Sequence, residues 1–193
     1  MKKLFFLFFV FNSFLLFAQN DNDTFGKNSI LLKNLRLNIQ ANVLQRFSLN
    51  DALGKIEFNL NNTFSAGLEF VFQYNRNMDY GVGAFYQSPT SIDSTLGKIG
   101  MIPIYAFIDF PLIENEYFPI KFSAQFGYAF LTAKDGLEKV NNGIYHAFGI
   151  TTVISKYFQL KFLYAHNYGK VKLYSYEYSL RKENLNLALY YKF

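Results

Sequence analysis

The sequence predicts an all-β chain, an eight-stranded antiparallel transmembrane β-barrel of the up-and-down type. Aromatic residues make up 20% of the 193 residues, with 24 Phe and 15 Tyr, whereas charged residues make up only 17%, against roughly 25% in an ordinary soluble domain. Apolar and polar residues alternate along segments of about ten residues, as in strands that turn one face to lipid. No stretch after residue 18 has the roughly 20 consecutive apolar residues that a spanning helix needs.

Residues 1–18 have the organisation of a secretory signal peptide. Two lysines follow Met1, an apolar stretch rich in Phe and Leu runs from Leu4 to Phe17, and Ala18 is a small residue before a polar segment. We expect cleavage after Ala18, which leaves residues 19–193 as a single barrel domain. The apolar stretch is too short to be a stable membrane anchor.

The charge and the absence of cysteine exclude several classes of protein. The formal net charge is +5, and the chain contains no Cys. Loss of the two signal-peptide lysines lowers the charge by two, from +5 to +3, which is too small and too dispersed to indicate nucleic-acid binding. Without cysteine, the chain has no disulfide, no thiolate metal site and no lipid-anchored N-terminal cysteine.

The alternation defines eight strands in order along the chain. The second is the clearest, because it places Phe, Ala, Leu and Tyr on one face and Ser, Gly, Glu, Val and Gln on the other. The first, fifth, seventh and eighth share this pattern, and three weaker segments fill the gaps. The fourth is apolar on both faces and contains Pro103, so the sequence does not assign its faces. The predicted strands are Leu35–Val43, Phe64–Tyr74, Tyr80–Gln87, Ile99–Phe110, Ile120–Phe130, Ile144–Ile154, Phe158–Ala165 and Asn184–Phe193.

The connections between these strands are predicted to alternate between long and short. Outer-membrane barrels have this arrangement, with short periplasmic turns, long external loops and an even number of strands. The long connections also contain most of the Asp, Asn, Ser and Lys residues. The predicted connections are 47–63, 75–79, 88–98, 111–117, 131–143, 155–157 and 168–183.

A soluble, lipocalin-like barrel is the competing fold, because it also has eight alternating strands. Its apolar face points inward, so its other face meets water and should be dense in Lys and Glu. The polar faces of this chain instead consist of Asn, Gln, Ser and Gly with a few isolated charges. Such a composition favours the interior of a narrow barrel, where polar side chains pair with one another.

The last eight residues resemble the C-terminal assembly signal of outer-membrane β-barrels. That signal has a polar residue, a Gly two places on, and alternating apolar or aromatic residues up to a terminal Phe. Asn186, Tyr191 and Phe193 match it, and Ala188 stands where Gly is usual. Over all eight strands the chain resembles the small OmpX/OmpA-like outer-membrane β-barrel proteins common in Bacteroidetes. The resemblance implies the cell outer membrane, contact with its lipid and lipopolysaccharide, and recognition by the barrel assembly machinery.

The inward face of the predicted barrel contains several charged residues. Since an eight-stranded barrel is only wide enough to be filled by side chains, these charges must lie close together. Glu69 must meet a cation, because an unpaired buried charge is far less favourable than a paired one. We expect a closed polar interior, with a narrow porin-like channel as the alternative. The predicted lumenal charges are Arg36, Glu69, Lys121, Lys161 and Lys192.

The two histidines of the chain are predicted to face each other. A three-residue turn at 155–157 places Ile154 opposite Phe158, and the same register places His146 opposite His166, at the outer membrane interface. Two imidazoles at that spacing can share a proton or bind a divalent metal weakly. Two histidines alone make an incomplete metal site, so we expect no metal and no other cofactor.

The sequence contains no arrangement that indicates catalysis. Lipid A deacylases of the outer membrane use a histidine beside a nucleophilic serine, and neither histidine has such a serine in its strand segment. We therefore expect a non-enzymatic barrel with a structural role or a surface-interaction role through its external loops, where an unknown surface ligand could bind. A lipid A-modifying enzyme is the further alternative, and no nucleic-acid partner is expected.

Overall fold

The computed structural model describes residues 34–50, 54–73, 78–93, 97–113, 119–134, 139–173 and 176–193. The predicted signal peptide lies outside the described residues. The described part forms one unit, Leu35–Phe193, which consists of antiparallel strands. No helix of the described residues is long and apolar enough to cross a membrane.

The strands are ten in number in the part of the chain that the structure describes. They are β1 (Leu35–Asn50), β2 (Lys55–Asn59), β3 (Thr63–Gln73), β4 (Asp79–Asp93), β5 (Gly97–Ile113), β6 (Ile120–Lys134), β7 (Lys139–Asn141), β8 (Gly143–Val153), β9 (Phe158–Leu173) and β10 (Tyr176–Lys192).

The ten segments form eight strands of one closed ring, because two of the strands are interrupted; we call each of the eight a stave. On the partner strand of β1, β2 continues the register of β3: Asn42 pairs with Thr63, and four residues further along β1, Arg46 pairs with Asn59. The two segments are therefore one interrupted strand, and β7 and β8 form a second one along β9. The predicted eight-stranded, antiparallel up-and-down architecture is confirmed.

The sheet closes because its first and last strands pair. The successive long strands β1, β3, β4, β5, β6, β8, β9 and β10 each pair with the next in antiparallel fashion. In addition, β10 pairs with β1 over the register Arg36↔Lys192 to Asn50↔Ser179. A closed ring has no unpaired edge, so every strand can satisfy its backbone groups without water.

Irregularities interrupt the ladder in β1, in the stave of β7 and β8, between β4 and β5, and between β5 and β6. Asn141 of β7 pairs with Lys170 of β9, and Tyr145 of β8 pairs with Asn167 of β9. Four residues separate the first pair from the second on the β7–β8 stave, but only three residues separate them on β9. One extra residue therefore bulges from this stave. In β1 the register with β10 shifts between Val43 and Arg46, where Leu44 has a φ of 49°.

The predicted connections 88–98 and 168–183 were wrong. The strands continue through most of these segments, since β4 ends at Asp93, β5 begins at Gly97, and β9 and β10 approach to Leu173 and Tyr176. Beyond the lipid the hairpins keep their hydrogen bonds, but their outward residues become Lys, Glu and Ser, so the apolar period that marks a strand disappears. The strict alternation of long and short connections was therefore wrong as well.

The outward face forms an apolar band. Along β9 the outward residues Phe158, Leu160, Phe162 and Tyr164 are followed by His166 and then by polar residues. Tyr168, the next residue after His166 on this face, lies ten residues from Phe158. At about 3.3 Å per residue and a strand tilt near 40°, this stretch rises roughly 25 Å, which is the height of the lipid-facing band of such barrels. A closed ring with this exterior spans the outer membrane.

The interior has two layers, and β5 shows both. Its faces, which the sequence did not assign, are now clear: Met101, Tyr105 and Phe107 point inward and are buried, and Asp109 follows them towards the end that carries the chain termini. That end is the periplasmic end in such barrels. The periplasmic half of the lumen is polar, and the outer half combines apolar and aromatic side chains with buried polar ones such as Gln45, Thr63 and Gln87.

The closure of β1 against β10 predicts a specific cross-link. The pair Ile39→Cys and Leu189→Cys should oxidise to a disulfide in the folded protein, because these outward residues are directly opposed with Cβ atoms about 5 Å apart. The native chain has no cysteine, so non-reducing electrophoresis reports this bond alone. The control pair, Ile39→Cys with Phe126→Cys on β6, should give no bond; a missing bond in the first pair would mean that the ring is open.

Candidate functional site

Six buried charged side chains meet in the periplasmic half of the lumen. They come from six different strands, so they join nearly the whole ring across its centre. Three are cations and three are carboxylates, and the group is formally neutral. We call it the ionic layer; it consists of Arg36, Glu69, Asp79, Asp109, Lys121 and Lys161.

Arg36 is the centre of the ionic layer. Its guanidinium donates to Asp79 at 2.6 Å and to Asp109 at 3.3 Å, and lies 4.0 Å from Glu69. Asp79 and Asp109 are directly opposed across β4 and β5, where two like charges repel. The forked guanidinium binds both carboxylates at once and thereby makes this pairing favourable.

The two lysines complete the neutralisation. The ammonium of Lys161 lies 3.1 Å from Asp109 and 3.4 Å from Glu69, and that of Lys121 lies 3.1 Å from Asp79. Lys161 is fully buried and also lies over the rings of Phe107 and Tyr190, at 4.9 and 4.5 Å from their centroids.

Neutral hydroxyl groups donate further hydrogen bonds to two of the carboxylates. Ser123 donates to Asp109 at 2.7 Å, and Tyr105 donates to Glu69 at 3.1 Å. Gly83 leaves the space for this last contact, because a Cβ there would lie 2.8 Å from the Tyr105 ring and 2.9 Å from Cγ of Glu69. Each carboxylate in the layer therefore has several donors, and each cation has at least one carboxylate partner, which is the condition for a buried ionic group to be tolerated.

The predicted lumenal charges are brought together in part. Arg36, Glu69, Lys121 and Lys161 all belong to the ionic layer. Lys192 is directly opposed to Arg36 across β1 and β10, at the periplasmic mouth, where it is half-buried and forms no ion pair with a described residue. Its part in the network stays a prediction.

Sequence reasoning missed Asp79 and Asp109. Asp79 stood at a predicted turn, and Asp109 lies on the strand whose faces were unassigned. The charge balance was the available signal, because four predicted lumenal cations faced a single carboxylate and a closed interior must be close to neutral.

Aromatic side chains, which the expected polar interior did not include, also fill the outer half of the lumen. Phe85, Tyr105 and Tyr145 form a cluster there, with ring centroids 5.5 to 6.0 Å apart. The Tyr145 hydroxyl points back to the polar half and donates to Gln125 at 2.6 Å. Strands β4, β5 and β8 place apolar residues on both faces, so single-face alternation gave no warning of this layer.

The histidines face each other on the outer surface of the barrel. The structure pairs His146 with His166, as the predicted turn requires, and their rings stack with centroids 4.9 Å apart. Tyr168 stacks on both rings. Glu183 lies 3.9 Å from the His166 ring and 2.5 Å from Arg181. No group of three His, Cys, Asp or Glu side chains able to hold a metal occurs among the described residues.

The C-terminal residues of the assembly pattern lie on different faces. Asn186 is buried in the lumen, whereas Tyr191 and Phe193 point outward. Their rings are 5.1 Å apart, and Tyr191 also contacts the rings of Tyr157 and Phe158 at the periplasmic rim.

The outer hairpins carry exposed ion pairs beyond the apolar band. Lys170 lies 2.5 Å from Glu177, and Lys55 contacts Glu57. In both cases the hydrogen bond from the neighbouring lysine holds the pKa of the glutamate below its usual value. These pairs are open to water and contribute little to folding.

The ionic layer predicts a strong dependence of stability on Glu69. Glu69→Ala should lower the free energy of unfolding by about 3–5 kcal/mol, because it leaves buried cations without their counter-charge. Urea titration of the protein in detergent, followed by gel mobility, measures this change. Glu177→Ala, which breaks an exposed pair, is the matched control and should be neutral; an equally neutral Glu69→Ala would show that water enters the ionic layer.

Comparisons with known proteins place the fold. No family model matches the chain, and no curated protein matches it. Among solved structures, Neisserial surface protein A (NspA) superimposes with a TM-score of 0.54 and 14% identity, over 83% of this chain and 97% of that one. Ail, the attachment invasion locus protein of Yersinia pestis, gives 0.47 and 13%, over 82% and 97%. OprG, an outer membrane protein from Pseudomonas aeruginosa, gives 0.46 and 11%, over 83% and 97%.

The similarity to NspA concerns the fold, and it agrees with the closed ring and the apolar exterior described above. The lipid-facing apolar band agrees with a location in the outer membrane, and the eight staves agree with an eight-stranded barrel. The protein is therefore a small β-barrel of the cell outer membrane.

Proposed function

We propose that the protein is a non-enzymatic outer-membrane barrel with a closed lumen, which binds the anionic glycolipid of the outer leaflet through its outer hairpins. The observation that carries the proposal is the combination of a filled interior with two opposed, exposed lysines, Lys139 and Lys172, just beyond the apolar band. Its role is thus structural, at the membrane surface. Membership of the OmpX/OmpA-like proteins of the Bacteroidetes type is part of this proposal.

The sealed interior argues against a transport role. The side chains of Arg36, Glu69 and Lys161 are 0% exposed, so the centre of the ionic layer has no contact with solvent. The aromatic cluster of Phe85, Tyr105 and Tyr145 fills the lumen above it. An ion would have to separate six charges that neutralise one another before it could pass.

The exposed lysines argue for an anionic partner. Lys139 is directly opposed to Lys172 across β7 and β9. Like charges in such a pair destabilise a sheet, and Glu177, opposed to Lys172 on β10, is already bound by Lys170. A bound anion would relieve the repulsion between Lys139 and Lys172, and we call these two residues the lysine rim.

The height of the lysine rim selects the partner. Lys172 lies four residues after Tyr168 on the same outward face of β9, so it lies just beyond the apolar band, on the outer wall of the barrel. Phosphate groups of lipopolysaccharide are the anions at this level of the outer leaflet, and ammonium groups bind phosphate as point charges.

Two further parts of the proposal concern chemistry and assembly. We propose no catalytic role, because none of the hydrogen bonds between described residues joins a serine to His146 or His166; the described polar partners of His166 are Arg181 and Glu183. We also propose that the exposed terminal Phe193 is recognised by the barrel assembly machinery.

Binding to lipopolysaccharide tests the lysine rim. The double variant Lys139→Gln with Lys172→Gln should bind lipopolysaccharide about thirtyfold more weakly than the native protein, given roughly 1 kcal/mol for each of the two lysines near an anionic surface. Surface plasmon resonance with the detergent-solubilised protein measures the affinity. Lys156→Gln, at the periplasmic turn, is the control and should not change it, and dephosphorylated lipopolysaccharide should bind all forms equally weakly. Equal affinity of the double variant and the native protein would contradict the proposed site.

Planar-bilayer recordings test the sealed interior. The native protein should show no ion conductance, because the ionic layer blocks the lumen. Steady single-channel currents from the native protein would replace the structural role with that of a narrow channel.

Deletion of Phe193 tests recognition during assembly. The deletion should lower the yield of folded protein in cells and leave refolding into detergent largely unchanged, because Phe193 is half-exposed and contributes little packing. Phe64→Ala, another exposed outward phenylalanine, should not lower the yield in cells. Equal losses in cells and in detergent would mean that Phe193 serves only in packing.

A further inference from the structure

One buried cation lies outside the ionic layer. Lys182 points into the outer half of the lumen and is 2% exposed. It forms no ion pair and no hydrogen bond with any described residue, unlike Lys121 and Lys161. Along β10 it is separated from the level of Lys161 by six residues, or roughly 20 Å at about 3.3 Å per residue.

An unsatisfied amide lies beside this lysine. Asn167 is directly opposed to Lys182 across β9 and β10, which places their Cβ atoms about 5 Å apart. Asn167 is 0% exposed, and both its amide oxygen and its amide nitrogen are without a partner. The Oδ1 atom of Asn184, the next inward residue of β10, is also without a partner.

The surroundings of this pair are apolar. The partner of Lys182 on β1 is Phe47, and the partner of Asn167 on β8 is Tyr145; both are fully buried. Leu180 precedes Lys182 on the same inward face and is also buried. An ammonium group in such an environment is strongly unfavourable without a counter-charge.

We propose that Lys182 and Asn167 form an internal binding site for a small monovalent anion, of the size of chloride. The ammonium supplies the charge, and the Asn167 amide N–H supplies a second donor, while the amide oxygens accept from the ammonium. A water molecule would satisfy the amide but would leave the charge uncompensated. The closely packed aromatic and aliphatic neighbours favour a monatomic anion over a phosphate or a carboxylate.

Thermal unfolding in different salts tests this site. Protein purified from outer membranes into detergent should unfold at a higher temperature in sodium chloride or sodium bromide than in sodium gluconate of equal ionic strength, because gluconate is too large for the site. Lys182→Met should abolish the difference between the salts. Lys172→Met, on the exposed lysine rim, is the matched control and should keep it. A halide response that survives in Lys182→Met would overturn the proposal, as would a native protein without any halide response.

Two further measurements cover a Lys182→Met variant that fails to fold. Asn167→Leu should weaken the apparent halide affinity about tenfold, since a hydrogen bond to a charged group is lost. Crystals of the native protein soaked in bromide should show an anomalous peak beside Lys182 inside the barrel. Bromide peaks confined to the outer surface would show that the buried lysine binds no anion.

Discussion

The mutual neutralisation of six charges in a space only as wide as two or three side chains is the constraint on which the barrel depends. Arg36 reaches carboxylates on three other strands, and Lys161 reaches two of them from the opposite direction. A slip by one residue of any of the six strands that contribute a charge would move that charge from the lumen into lipid. The ionic layer therefore fixes the register of the ring as well as filling it.

The two halves of the lumen have different tasks. Near the periplasmic end the charges, with Ser123 and Gln125 beside them, form a network in which each carboxylate has several donors. Farther out, aromatic side chains fill the lumen by packing, and glycines such as Gly83 leave room for the large rings. This filled interior is the basis on which we propose a role for the outer surface, where the staves extend beyond the lipid as hairpins.

The outer surface changes its chemistry with height. Apolar side chains give way to the stacked rings of His146, His166 and Tyr168, and then to exposed lysines and their glutamate partners. This order matches the passage from hydrocarbon through the interface to the charged headgroups. The histidines sit where a half-polar ring can meet both environments, and their neighbours Arg181 and Glu183 pair with each other. This position accounts for two half-polar rings on the outward face.

The sequence by itself determined the eight staves, the lipid-facing side of most of them and the opposition of His146 and His166, because a period of two residues and a three-residue turn are local properties of the chain. The inward positions of Arg36 and Glu69 follow from the same alternation. Only the tertiary structure decided which carboxylates complete the ionic layer. Asp79 and Asp109 lie on strands whose pattern is weak or apolar on both faces, and their partners come from strands distant in sequence. The aromatic layer and the isolation of Lys182 were likewise decided by packing across the lumen, which no local pattern records.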